Sequence, residues 1–191
     1  MNYEITQAQL FDHKHNRTIT NERAVEIPLA LRYLKAVGSA GEDLVEVGAV
    51  TPYYCDNDHR VIDPYDKRGT IKARAEDYDF TDENVLSIST IEHIGADNQY
   101  EARDPMVEGL AFKVLEKIYQ ESKSCFISWG MGFNLALDET VRKNQHNFNH
   151  FFYHRTGERD WVLLHNPENF NVRYGMPFRC ANSVIFITKN L

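Results

Sequence analysis

Leu44-Val45-Glu46-Val47-Gly48, Val61-Ile62-Asp63 and Val85-Leu86-Ser87-Ile88-Ser89-Thr90-Ile91-Glu92-His93-Ile94-Gly95 follow one another along the chain, and their reading decides the fold. Each is an apolar, β-branched run that stops at glycine or a polar residue, as a buried strand does. Asp43 to Gly48 and Arg60 to Asp63 predict two short strands. Thr70 to Ala75 predicts a weaker third and Val85 to Thr90 a fourth.

Helical patterns flank this stretch. Asn21 to Val37 places Leu29, Tyr33, Leu34 and Val37 on one face, and Pro28 predicts a break into two pieces. Pro105 to Glu121 is the strongest helix, capped by Asp104, with Met106, Val107, Leu110, Ala111, Val114, Leu115 and Ile118 as its buried stripe. Ser124 to Trp129 predicts a strand and Asn134 to Lys143 a helix. Phe148 to Leu164 predicts a hairpin turning at Thr156 to Asp160, and Ser183 to Thr188 a final strand. The polar opening, residues 1–20, reads as an arm or lid; residues 21–191 read as a single domain. Strands alternating with helices predict an α/β fold with a mostly parallel sheet, helices on both faces and a β-rich C-terminal part. Ligands bind such sheets beyond the carboxyl ends of the strands, which here are Gly48, Asp63, Asp77 and Thr90.

The residues at those ends suit an adenosine ligand. Gly48 permits close approach to the backbone. Asp63 can accept ribose hydroxyls. Glu76 or Asp77 is placed to meet an adenine amino group, and Ser89 and Thr90 end the fourth strand. A pyrophosphate cofactor would want G-x-G-x-x-G, but Gly48 to Tyr53 holds a single glycine.

Leu44 to Gly48 resembles the first motif of class I S-adenosylmethionine (SAM) methyltransferases, and Val61 to Asp63 their acidic second motif. Val85 to Gly95 is similar to the S-x-x-E-H-I segment of many small-molecule methyltransferases. Asn21 to Pro28, Gly130 to Asp138 and Tyr174 to Phe178 resemble methyltransferase-like proteins of bacterial surface-glycan gene clusters. The resemblance implies a Rossmann-like methyltransferase fold with SAM as cofactor and a small molecule as acceptor, a sugar or glycan-precursor hydroxyl. Glu46 and Gly48 would then border the methionine half of SAM, Asp63 the ribose, Glu76 or Asp77 the adenine, and Ser89 and Thr90 the reacting methyl. His93 is the candidate catalytic base, or else caps the loop or contacts SAM without proton transfer, and Glu92 could orient it, bind a metal or pair with a basic residue such as Arg23. Two departures from the pattern stand out: the first motif keeps one glycine, and the crossover from Ala49 to His59 has little room for a helix. They favour a second reading, a non-catalytic methyltransferase-like module that binds a glycan precursor or a partner protein.

Other candidates are more diffuse. Arg23 and Glu26 flank the proline-broken helix as a lid or as an ion pair. Tyr153, Trp161 and Tyr174 could seat a sugar ring. His146, His150 and His154 raise a third reading, a metal-binding hydrolase, although the phenylalanines between them favour packing, and no metal is expected. The net charge of −7 argues against duplex nucleic acid. No run is long enough for a membrane span, and the polar opening lacks a secretory core. Three cysteines without metal or redox spacing fit a reducing, cytoplasmic compartment.

Overall fold

The structure is a computed structural model that describes residues 1–38, 43–56, 58–96, 106–165 and 172–191. Seven strands form one sheet: β1 (Leu44–Val47), β2 (Arg60–Ile62), β3 (Asn84–Ile88), β4 (Ser124–Gly130), β5 (Asn149–Arg155), β6 (Trp161–Leu164) and β7 (Ser183–Lys189). Their order is β2-β1-β3-β4-β7-β5-β6. β1 pairs in parallel with β2 and β3, and β3 with β4. β7 runs antiparallel to both β4 and β5, and β6 antiparallel to β5. The sheet is therefore mixed, not mostly parallel as expected. The β5–β6 hairpin and the inserted β7 account for the difference.

Helices cover both faces. The pleat sends Leu44, Leu86, Ile88, Phe126 and Phe186 to one side, where they meet α1 (Arg23–Val37). Val45, Val85, Ile127, Trp129 and Ile187 point the other way, toward α2 (Leu110–Glu121) and α3 (Leu135–Asn144). On α2 the stripe is Ala111, Val114, Leu115 and Ile118, all buried. Asn134 caps α3, its side chain accepting from Leu137 N at 3.0 Å.

Three local expectations are corrected. α1 is one helix through Pro28. A proline there leaves the carbonyl four residues earlier, at Ala24, without its helical donor. Phe11 N–H donates to Ala24 O at 2.9 Å, so the N-terminal arm supplies the missing bond. α2 begins at Leu110, because Gly109 is left-handed (φ +76°) and Val107 N–H is already bonded to Gly95 O. Met106 and Val107 are consequently exposed; Asp104 and Pro105 lie outside the described residues. The weak third strand shrinks to one parallel bridge, Ile62 with Ile71.

The arm itself packs on the α1 face. Tyr3 stacks on Phe151 with ring centroids 4.3 Å apart, and Tyr153 Oη accepts from Ile5 N and donates to Tyr3 O, both at 2.8 Å. Among the described residues no helix is long and apolar enough to cross a membrane.

Candidate functional site

Sheet order reverses at β1: the chain moves outward to β2, then returns to place β3 on the other side. Open α/β sheets form their ligand crevice at such a point. A cleft of about 590 Å³, including its solvent-open part, lies there. Val47, Ile62, Ile94 and Leu110 form apolar walls, and Gly48, Asp63, Arg74, Glu76 and Thr90 add backbone and polar groups. Its mixed apolar and polar lining suits a small-molecule site.

The loop after β1 turns its donors inward. Ala49 N–H donates to Asp63 Oδ2 at 3.1 Å. Val50 and Thr51 N–H donate to Glu46 Oε1 at 3.1 and 2.8 Å. The Thr51 hydroxyl donates to Glu46 Oε2, and His59 Nε2 lies 2.9 Å from that oxygen. Glu46 is thus fully buried and holds the shortened crossover, whose described residues form one 3-10 turn, Thr51–Tyr53. It does not line the cleft. Asp63 does, but its Oδ1 also accepts Tyr65 and Asp66 N–H at 2.8 Å each. Three of roughly four acceptor positions on a carboxylate are filled, leaving room for about one ligand hydroxyl rather than two.

Gly48 adopts φ +84°, and a Cβ there would overlap the Thr90 side chain. The glycine is explained by Thr90 standing over it. Thr90 Oγ1 in turn donates to Ile88 O at 3.0 Å. Glu76 lines the cleft, 3.5 Å from the Arg74 guanidinium. Asp77 is exposed and outside the lining.

A second group gathers at the ends of β3 and β4, against the start of α1. Glu26 is completely buried. It accepts from Arg23, from Ser89 Oγ at 2.9 and 3.0 Å, and from Ser128 Oγ at 2.8 Å. Burial pushes the Glu26 carboxyl up, and the Arg23 guanidinium partly offsets this. Arg23 overcomes its own burial and stays above its ordinary value because of Glu26 and Glu22. Glu92 is 4% exposed, and its Oε2 has no hydrogen-bond partner among the described residues. Burial, reinforced by Glu26, holds the Glu92 carboxyl well above the usual carboxylate range. Burial, with Arg23 nearby, pulls the His93 imidazole from 6.5 down to about 4. A general base works best with a pKa near the operating pH. The burial that disfavours a protonated His93 counts against the base role. Its ring meets Phe133 edge-on at 4.6 Å, and Phe133 meets Tyr174 at 5.5 Å.

A scan of family models and searches of curated proteins and of solved structures return no match to this chain.

The candidates thus divide. Gly48, Asp63, Glu76 and Thr90 share the cleft. Arg23, Ser89, Glu92, His93 and Tyr174 belong to the β3–β4 corner. Tyr153 is core, its hydroxyl spent on the arm, and Trp161 is packed in the same cluster with Arg155 over its ring at 5.7 Å. Neither is presented to a substrate. His146 falls on a 3-10 turn, while His150 and His154 share β5. Among the described residues no three His, Cys, Asp or Glu side chains group to hold a metal ion. Phe133, Ser128 and His59 carry no signal in the sequence that marks them as members of these groups. Glu26 did carry a signal, a carboxylate between Val25 and Ile27 within the first helical pattern.

Proposed function

We propose that the chain binds SAM in the cleft beyond β1, β2 and β3, and that it methylates a hydroxyl of a small acceptor. The observation that carries the reading is the inward-turned loop: Ala49, Val50 and Thr51 N–H are bonded to Asp63 and Glu46. A phosphate needs such N–H groups free, with no carboxylates behind them. An adenosyl ligand without phosphate and with a positive sulfonium meets neither obstacle. The strand order also fits: the Ile71 bridge, β2, β1, β3 and β4 lie as 3-2-1-4-5, the first five places of a doubly wound nucleotide-binding sheet.

In this reading Asp63 accepts one ribose hydroxyl, Glu76 faces the adenine end, and Gly48 and Thr90 border the methionine half. SAM, when bound, supplies an electrophilic methyl group. The chain's own residues orient the reactants, which by itself accounts for a large part of such rate enhancements. A sugar or glycan-precursor acceptor is the class the sequence resemblance favours.

One observation favours a non-catalytic module instead: Thr90 occupies the space above Gly48 through which a ligand would approach the strand end. Calorimetric titration with SAM and its demethylated product decides. Binding of both, weakened at least about tenfold by Asp63→Ala, which is ~1.4 kcal/mol, supports the cofactor site. Absence of binding at millimolar concentration removes the enzyme reading. Binding without methyl transfer to any of a sugar panel favours the module.

A further inference from the structure

The N-terminal arm grips the molecule at two places. Tyr3 and Ile5 dock on β5, whereas residues 11–16 reach the loop after β1. There the arm meets two adjacent tyrosines. Tyr54 receives Phe11 and His13 edge-on, with ring centroids 5.7 and 5.6 Å away, and its hydroxyl accepts from Asn16 Nδ2 at 3.4 Å. His15 stacks on Tyr53, with ring centroids 4.9 Å apart and planes within 8° of parallel. The Arg68 guanidinium lies 3.8 Å from the centre of the same ring. A guanidinium that close fills the face it covers and leaves the other face to His15. Tyr53 is therefore clamped between the arm and the loop after β2.

Tyr53 in turn holds one wall of the cleft. Its hydroxyl donates to Asp66 Oδ2 at 2.5 Å. Asp66 Oδ1 accepts Arg68 N–H at 2.8 Å, and Asp66 O accepts Gly69 N–H at 3.0 Å and the Lys72 ammonium. Asp63 Oδ1, which accepts Tyr65 and Asp66 N–H, closes the same turn. Asp63, Pro64 and Tyr65 of this turn line the cleft. A continuous series of contacts thus runs from His15 through Tyr53 and Asp66 to Asp63. Its arm end is strained: Asn16 and Arg17, immediately after His15, are left-handed at φ +57° and +48°. Strained backbone of this kind costs of order 1–3 kcal/mol, persists only where its surroundings over-determine it, and concentrates in segments that switch.

We propose that residues 11–17 form a strap whose docking on Tyr53 and Tyr54 is coupled to the order of the turn 63–69, and that it thereby regulates ligand binding in the cleft. As control of SAM it rests on the reading above; the coupling itself belongs to the chain without ligand. With the strap docked, the turn is braced through Tyr53 and Asp63 is held in place. With the strap released, the strain at Asn16 and Arg17 relaxes, Tyr53 loses one side of its clamp, and a ligand must pay to order the turn. The linkage is reciprocal: the factor by which the strap raises ligand affinity is the factor by which the ligand favours strap docking.

The test is amide hydrogen exchange on the full chain, without ligand, read in the turn 63–69. His15→Ala should speed exchange of the Asp66, Arg68 and Gly69 N–H groups ~5-fold or more, the low end of coupling between sites. Tyr53→Leu cuts the series, and in that background His15→Ala should add less than ~2-fold. Tyr3→Ala loosens the other anchor of the arm and should leave the turn unchanged. Urea unfolding checks that the variants stay folded, and Phe11→Ala, which frees Tyr54, carries the test should His15→Ala unfold. Unchanged exchange in the strap variant, or equal acceleration by Tyr3→Ala, overturns the inference. Titration with SAM separates the two readings. If SAM binds, His15→Ala should weaken it ~5-fold or more, and saturating SAM should slow tryptic cleavage after the exposed Lys14 and Arg17 of the wild type. Coupled exchange without SAM binding removes the cofactor reading and leaves the coupling standing. SAM binding of unchanged strength in His15→Ala overturns the strap's control of the cleft and leaves the cofactor reading intact.

Discussion

Gly48→Ala tests the reading of the β1 loop most directly. Gly48 has φ +84°, a region where an L side chain costs ~1–2 kcal/mol. The added methyl would also overlap Thr90 Oγ1 and crowd its Cγ2, and overpacking of this kind costs ~1–3 kcal/mol. Together the variant should lose ~2–5 kcal/mol, a large part of the ~5–15 kcal/mol that holds a domain folded. Urea unfolding followed by tryptophan fluorescence suits the measurement, since Trp129 and Trp161 are both buried. Thr90→Ala removes the two closest atoms, Oγ1 and Cγ2, but keeps Thr90 Cβ at 2.8 Å and the backbone conformation. In that background Gly48→Ala should cost ~1–2 kcal/mol less, which a double-mutant cycle reads as a coupling. A single-variant loss under ~0.5 kcal/mol would show that neither strain nor overlap operates there. A full loss with no coupling to Thr90 would leave the backbone as the sole reason for the glycine and would reopen the space above it to a ligand.

Other consequences are open to measurement. Glu92 binds its proton more tightly when folded, so between the unfolded carboxylate range near 4.5 and its raised folded value the native state holds the extra proton. Stability attributable to it therefore falls as pH rises through that window. Glu92→Gln should gain on the wild type as pH rises above the ordinary carboxylate range, and parallel stability curves would sink the assignment. His93 has the opposite sign: its unfolded form takes up the proton first as pH falls from 6.5 toward about 4, so acidification destabilises, by roughly 3 kcal/mol in all. His93→Phe should flatten that limb of the acid-unfolding curve; an unchanged limb would refute the depressed value. Glu46→Leu removes the acceptor shared by two backbone N–H groups, the Thr51 hydroxyl and His59, and should lower stability by about 3–5 kcal/mol in thermal or urea unfolding. Pro28→Ala should be near neutral in the full chain, where Phe11 serves Ala24 O, but should stabilise a chain lacking residues 1–12 by ~1 kcal/mol. Equal effects in the two backgrounds would mean that the arm does not serve that carbonyl.

Much of the fold was legible because buried strands announce themselves as apolar runs. β1, β2, β3, β4 and β7 fall within a residue or two of the expected segments, and the β5–β6 hairpin turns where Thr156 to Asp160 predicted. What escaped depended on partners distant in sequence. Pro28 should break a helix locally, and only Phe11, arriving from the arm, keeps it whole. Met106 and Val107 continue the apolar stripe of α2 in sequence, but Gly109 turns them outward. Pairing order is also invisible to periodicity, so β7 entering between β4 and β5 could not be read in advance.

The candidate site was legible as to place and less so as to role, for one physical reason. A carboxylate at a strand end looks the same in sequence whether it serves a ligand or its own loop. Glu46 serves the loop entirely and Asp63 mostly, and between them they bind the N–H groups that a glycine-rich loop would offer to a phosphate. The missing glycines and the two acids are therefore one arrangement. Once Glu46 and Asp63 stabilise the turn from behind, the loop needs neither additional glycines nor a long helix, and an anion is unwelcome in front of it. The same division governs the β3–β4 corner. Glu26 is satisfied by Arg23, Ser89 and Ser128, so it reads as structure, whereas Glu92 retains an oxygen with no partner among the described residues. Of the acidic candidates, Asp63 alone combines a place in the cleft lining with acceptor capacity left over from its loop, and because it also holds three backbone N–H groups its substitution tests ligand and loop together.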